Sequence, residues 1–159
     1  MTNLVDTPKS ATADPVMAAI ERELRKGNFF VGEERSLVQC LQDDAALVSR
    51  LGLDLMDITS RLKRYFEMGR AGLGDPVLVD GCVEVIVRED RGIMACPWGD
   101  HYAAPKAVVV ARNIQTGTVI TYSLLALHLV SAHGFFQGRH SPFRIDPFML
   151  RDFFKCEEL

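Results

Sequence analysis

The chain predicts an α+β fold: N-terminal helices, then a small antiparallel sheet packed against a buried helix and a C-terminal helix. Three observations carry that expectation. Residues 14–70 show apolar residues at helical spacing, punctuated by caps and glycines. After Gly74 the pattern turns to β-branched and alternating runs. The 26 residues from Asn113 to Gly138 then hold no Asp, Glu, Lys or Arg, as a buried hairpin and helix require. Helices followed by strands and a closing helix argue α+β, because parallel βαβ units would alternate.

Each element has a local reason. Residues 1–13, rich in Thr, Ser, Asp and Pro, read as a disordered tail. Asp14 caps a helix that Pro15 opens and Gly27-Asn28 stops. Two shorter helices are expected at about 33–42 and 44–51. Asp54 caps a stronger one to about Met68, with Leu55, Ile58, Leu62, Tyr65 and Phe66 in one stripe. Strands are expected at 76–80, 82–89 and 93–96, with Arg91-Gly92 as a turn. Residues 106–113 and 118–122 flank Gln115-Thr116-Gly117, the clearest hairpin signal. Ser123 caps a helix to His133 that is apolar nearly all round, and Gly134 stops it. Asp146 caps the last helix, Pro147 opens it, and Ile145 staples onto Leu150. Regions 14–70 and 75–159 are expected to form one compact unit, since a chain of 159 residues suits a single core.

Bulk properties narrow the function classes. The net charge of −3 offers no global field for nucleic acid or an anionic membrane. The longest apolar run, 119–130, falls short of the roughly 20 residues a spanning helix needs, so no membrane partner is expected. The opening residues lack an apolar signal core. Cys40, Cys82, Cys96 and Cys156 are widely spaced and form no Cys-x2-Cys pair, which reads as four reduced thiols of a cytoplasmic protein.

The chemistry-bearing residues gather in two loops that flank the uncharged stretch. The first is Cys96-Pro-Trp-Gly-Asp-His101. The second is Gly138-Arg-His-Ser-Pro-Phe-Arg144. Arginine forks suit carboxylate or phosphate, and nearby aromatics suit a ring. The leading expectation is therefore a non-enzymatic binding or protein-interaction module. Its candidate site is Trp98, His101, His133, Arg139, His140 and Arg144, and its partner is a protein or a small anionic ligand. The plainer reading makes the phenylalanines core and pairs Arg144 with a local acid such as Asp146 or Asp152.

Two alternatives stand beside it. Residues 45–68 resemble a helix-turn-helix of the winged type, with Gly52 at the turn, Asp54 capping, and Ile58 and Leu62 packing inward. That resemblance implies DNA binding through Arg61, Lys63, Arg64 and Arg70, although Asp57 in the first turn of the reading helix would repel phosphate. The other alternative is a zinc-stabilised domain. Cys96 and His101 form a Cys-x4-His pair, and His128 and His133 a His-x4-His pair. Residues five apart on a regular helix point about 140° apart, so the spacing alone assigns no metal and no cofactor is expected. Catalytic signatures are sparse: the sequence has no Gly-rich phosphate loop, no Gly-x-Ser-x-Gly and no His-Glu-x-x-His. Cys96 beside His101 or His133 is the one candidate nucleophile pair.

Overall fold

The structure, a computed structural model, describes residues 14–156. The expected tail at 1–13 lies outside them. Helices α1 (Pro15–Lys26), α2 (Leu37–Arg50) and α3 (Leu55–Gly69) come first, followed by a short 3-10 turn at Arg70–Gly72. Strands β1 (Val77–Val79), β2 (Val83–Ala95), β3 (Ala103–Asn113) and β4 (Val119–Ser123) form one antiparallel meander in the order β1-β2-β3-β4. Helices α4 (Leu124–His133) and α5 (Pro147–Phe153) close the chain. The fold is α+β, as the helix-then-strand pattern predicts.

The caps do their expected work. The side chains of Asp14, Asp54, Ser123 and Asp146 accept from the first-turn amides of α1, α3, α4 and α5. Two boundaries differ from expectation. The two short helices predicted at 33–42 and 44–51 are one helix, α2, capped by Ser36. Asp43, which falls between the two expected helices, binds Arg35 eight residues before it, and Asp44 binds the distant Arg144, so the helix runs through both. The strands predicted at 82–89 and 93–96 are likewise one strand. A β-bulge between Glu89 and Ile93 replaces the expected turn, and β2 stays on β3 from Val83↔Asn113 to Ala95↔Ala103.

Period-2 alternation selects the sheet's inner face. Val83, Val85 and Val87 are buried on β2, Val109 and Ala111 on β3, and Ile120 and Tyr122 on β4. The register places Val85 opposite Ala111 and Ala111 opposite Ile120, so these residues share one face. On them pack Ile58, Leu62 and Tyr65 of α3, Ala126 and Val130 of α4, and Leu150 and Phe153 of α5. Tyr122, fully buried, donates its hydroxyl to the Leu62 carbonyl at 2.6 Å, which satisfies its one polar atom inside this core.

A second core lies on the other side of α4. Leu125 and Leu129 meet Ile20 and Leu24 of α1, Leu37 and Cys40 of α2, and Phe30, Phe135, Cys96 and Ala104. Helix α4 is thus covered on two sides, which is why it carries no charge. It delivers two histidines, one part-way along and one at its end, to the solvent-facing margin of this second core.

One correction concerns the cysteines. Cys82 and Cys156 are joined in a disulfide, while Cys40 and Cys96 are free and buried. The four-thiol reading rested on sequence spacing, but the fold brings the β1–β2 turn against the end of α5. The cysteine argument for a cytoplasmic setting falls with it. No helix among the described residues is long and apolar enough to cross a membrane.

Candidate metal centre

The loop between β2 and β3 folds back on itself. Cys96 donates its amide to the Tyr102 carbonyl at 2.8 Å, and Gly99 donates to the Cys96 carbonyl at 3.1 Å. Within this turn the Tyr102 amide donates to Asp100 Oδ1 at 3.0 Å. That Asx-type turn fixes the carboxylate and leaves Oδ2 available. Two imidazoles of α4 meet it there: His128 Nε2 and His133 Nε2 each lie 2.8 Å from Asp100 Oδ2. Cys96 Sγ lies 3.6 Å from His133 Nε2. The four ligand atoms of Cys96, Asp100, His128 and His133 all fall within 4.8 Å of one another.

Aromatic stacking sets both rings. Trp98 lies face to face with His133, with centroids 4.4 Å apart at 8°. Tyr102 does the same to His128 at 3.7 Å and 8°. The two imidazoles are nearly perpendicular, at 85°. Helix α4 is not broken between them. It ends directly after His133, where Gly134 takes a left-handed φ of 63° and donates to the Val130 carbonyl. The angular gap between residues five apart is closed by two side chains converging on an acid placed between them.

Burial pushes the Cys96 thiol up to about 11, and the neighbouring Asp100 carboxylate adds to that. Burial thus favours the protonated thiol, and attack or metal ligation alike would require it to give up that proton, which a bound cation promotes. Burial also acts to raise the Asp100 carboxyl. It is outweighed by the Tyr102 amide and the two imidazoles, and the carboxyl sits well below the usual carboxylate range.

No known family model, curated protein or solved structure matches this chain.

The six candidate binding residues fall in two places. Trp98 and His133 belong to the Cys96 cluster. His101 takes a left-handed backbone (φ 65°), is exposed, and is not among the clustered ligands. Its neighbour Asp100, which the Cys-x4-His spacing passes over, stands in the cluster instead. Arg139, His140 and Arg144 lie on the segment after α4, and Arg139 and Arg144 line a separate cleft of about 680 Å³ against α2. The expected partner of Arg144, Asp146 or Asp152, is replaced by buried Asp44, which binds Nη1 at 3.2 Å and Nη2 at 3.0 Å, with the Gln137 carbonyl accepting at 2.7 Å. The His140 ring rests on the Gly32 backbone.

The helix-turn-helix segment keeps its expected turn, with Gly52 at φ 68° and Asp54 capping α3. Its cations are engaged, however. Arg61 pairs with Asp57, Lys63 with Glu67, Arg64 with Asp80 and Arg70 with Glu89. The basic face that DNA would need is matched by acids of the same surface.

Proposed function

We propose that this chain is a metal-stabilised domain whose Cys96, Asp100, His128 and His133 hold one divalent ion, zinc by ligand chemistry. The single observation that carries the reading is the convergence of a thiol, a carboxylate and two imidazoles, drawn from two separate segments, within 4.8 Å. A tetrahedral zinc ion with bonds of about 2.0–2.3 Å needs ligand atoms about 3.3–3.7 Å apart. The Cys96–His133 separation of 3.6 Å already has that value. The two 2.8 Å contacts to Asp100 need to open by only about half an ångström. Nitrogen, sulfur and one oxygen favour zinc over magnesium or calcium, which prefer oxygen throughout. Four protein ligands fill the tetrahedron and leave no place for a reactive water, so the role is structural: the ion fastens the β2–β3 loop to the end of α4. The runner-up, an internal acid–imidazole cluster without metal, predicts a protein indifferent to chelators.

Elemental analysis of protein purified without metal-affinity resin tests this directly. One zinc per chain is expected, with a lowered melting temperature in chelator. Cobalt loading should give tetrahedral visible bands and a thiolate charge-transfer band that Cys96→Ser abolishes. A protein that takes up no zinc or cobalt on reconstitution, and melts identically with and without chelator, overturns the reading.

A further inference from the structure

We infer that the cleft between α2 and residues 139–148 is a binding site for the phosphate group of a small aromatic ligand, gripped by Arg50 and Arg139. The charge pattern of the cleft comes first. Its walls carry Arg35, Arg50, Arg139 and Arg144 together with Asp43, Asp44 and Asp146. The acids are already occupied. Asp43 binds Arg35 at 3.0 Å, Asp44 binds Arg144 at 3.0 Å, and Asp146 accepts from the Phe148 amide as the cap of α5. Arg35 and Arg144 are consumed in those pairs, and Arg35 is further held by buried Glu33 at 2.8 Å. Among the described residues, the guanidiniums of Arg50 and Arg139 have no hydrogen-bond or ion-pair partner, and both are exposed at the cleft. Counting Glu33, which shares Arg35, acids and arginines around the cleft are equal in number; Arg50 and Arg139 face it without a hydrogen-bonded acid of their own, with Asp43 in electrostatic reach of Arg139.

The backbone beneath Arg139 is unusually well fixed for a surface arginine. Its amide donates to Glu33 Oε2 at 3.2 Å. On one side, the Gly138 amide donates to the Phe29 carbonyl at 2.7 Å. On the other, the His140 amide donates to the Val31 carbonyl at 3.1 Å. The Ser141 hydroxyl accepts from the Val31 amide at 3.1 Å. Gly138 is packed so tightly that a Cβ there would stand 2.9 Å from the Phe30 Cα. The loop thus presents a charged side chain from a rigid base, which lowers the entropy cost of binding. Two guanidiniums suit the oxygens of a phosphate, to which arginine forks donate in pairs. Phe148, 59% exposed, also lines the cleft and offers a face for a planar ring. A volume of about 680 Å³ falls in the range of small-molecule sites and accommodates a nucleotide. The chain's net charge of −3 disfavours a polyanion as the natural occupant.

Calorimetric titration of the full chain, in its purified metal state, with AMP and with inorganic phosphate tests the site. AMP should bind saturably and more tightly than phosphate, and both should weaken as salt is raised. Arg139→Ala and Arg50→Ala should each lower affinity tenfold or more. Phe148→Ala should erase the advantage of AMP over phosphate. AMP affinity measured below the melting temperature should be the same with and without chelator, so this test and that of the metal fail separately. Three results overturn the inference: no binding of either probe at about 5 mM, a level that corresponds to barely 3 kcal/mol; undiminished affinity in the Arg50→Ala/Arg139→Ala double variant; or a short DNA duplex that outcompetes AMP.

Discussion

Asp100 and His101 are neighbours with opposite fates, and the difference is one of backbone. Asp100 spends Oδ1 on the Tyr102 amide, so its second oxygen is aimed at His128 and His133. His101, in the left-handed region, follows outside the cluster. Asp100→Ala is expected to reduce zinc stoichiometry and lower the melting temperature. His101→Ala should leave both unchanged, which elemental analysis and thermal melts will show. Glu33 gives a second single-residue prediction. The Arg35 guanidinium, working against burial and helped by the Arg35 and Arg139 amides, holds its carboxyl at about 2. A folded value below the ordinary 4.5 stabilises the protein above the ordinary value, and this contribution is lost as pH falls toward 2. Glu33→Gln should therefore cost up to about 3 kcal/mol at pH 7. In urea titrations the gap to the unmodified protein should narrow as the pH approaches 2. Of the site residues, Cys96, Trp98, His128 and His133 stood out in the sequence because their types are rare and chemically marked. Asp100 and Glu33 did not, since acids are common on any surface and only the fold shows which ones face cations or imidazoles.

Helix α4 was the most legible element, because covering it on two sides forces an uncharged sequence that nothing else in the chain resembles. Helix α2 was the least legible. Its central Asp43-Asp44 pair looks like an interruption until Arg35 and Arg144 are seen to occupy both carboxylates. Arg144 lies a hundred residues from its partner, and no local pattern can announce such a pair. The bond between Asp44 and Arg144 is nearly closed to solvent, with side-chain exposures of 4% and 12%. Removing one member strands the other, so Arg144→Ala is expected to cost about 3–5 kcal/mol, measured by urea unfolding. Arg144→Ala with Asp44→Ala should recover much of that loss. The β-bulge in β2 was also illegible. Arg91-Gly92 has the composition of a turn, and only the ladder to β3 shows the strand resuming at Ile93.

Two ties close the molecule at separate places. The proposed ion joins the β2–β3 loop to α4, and the Cys82–Cys156 disulfide joins the β1–β2 turn to the end of α5. Asn113 reinforces the second tie by donating to the Phe153 and Lys155 carbonyls at 2.8 and 2.7 Å. A disulfide spanning 74 residues of chain confines the unfolded state, so its reduction should lower stability by up to about 4 kcal/mol. Chelator and reductant should therefore act additively in melting experiments, since the two ties share no residue. The overall architecture was readable from periodicity and caps, whereas both ties depend on residues far apart in the chain.

The unequal strand lengths have a consequence for the protein's behaviour in concentrated solution. β1 covers β2 only at Val83–Val85, and β4 covers β3 only at Val108–Arg112. Among the described residues no further strand pairs with the rest of the long β2–β3 ribbon, whose margins are a template onto which another chain could add. The residues there are suited to refuse it. Arg88, Glu89, Asp90 and Arg91 put four consecutive charges on one margin, and Pro105-Lys106 puts a missing amide and a cation on the other. Replacing those five charges and Pro105 with uncharged, strand-forming residues should promote intermolecular sheet growth, which light scattering at rising protein concentration would show.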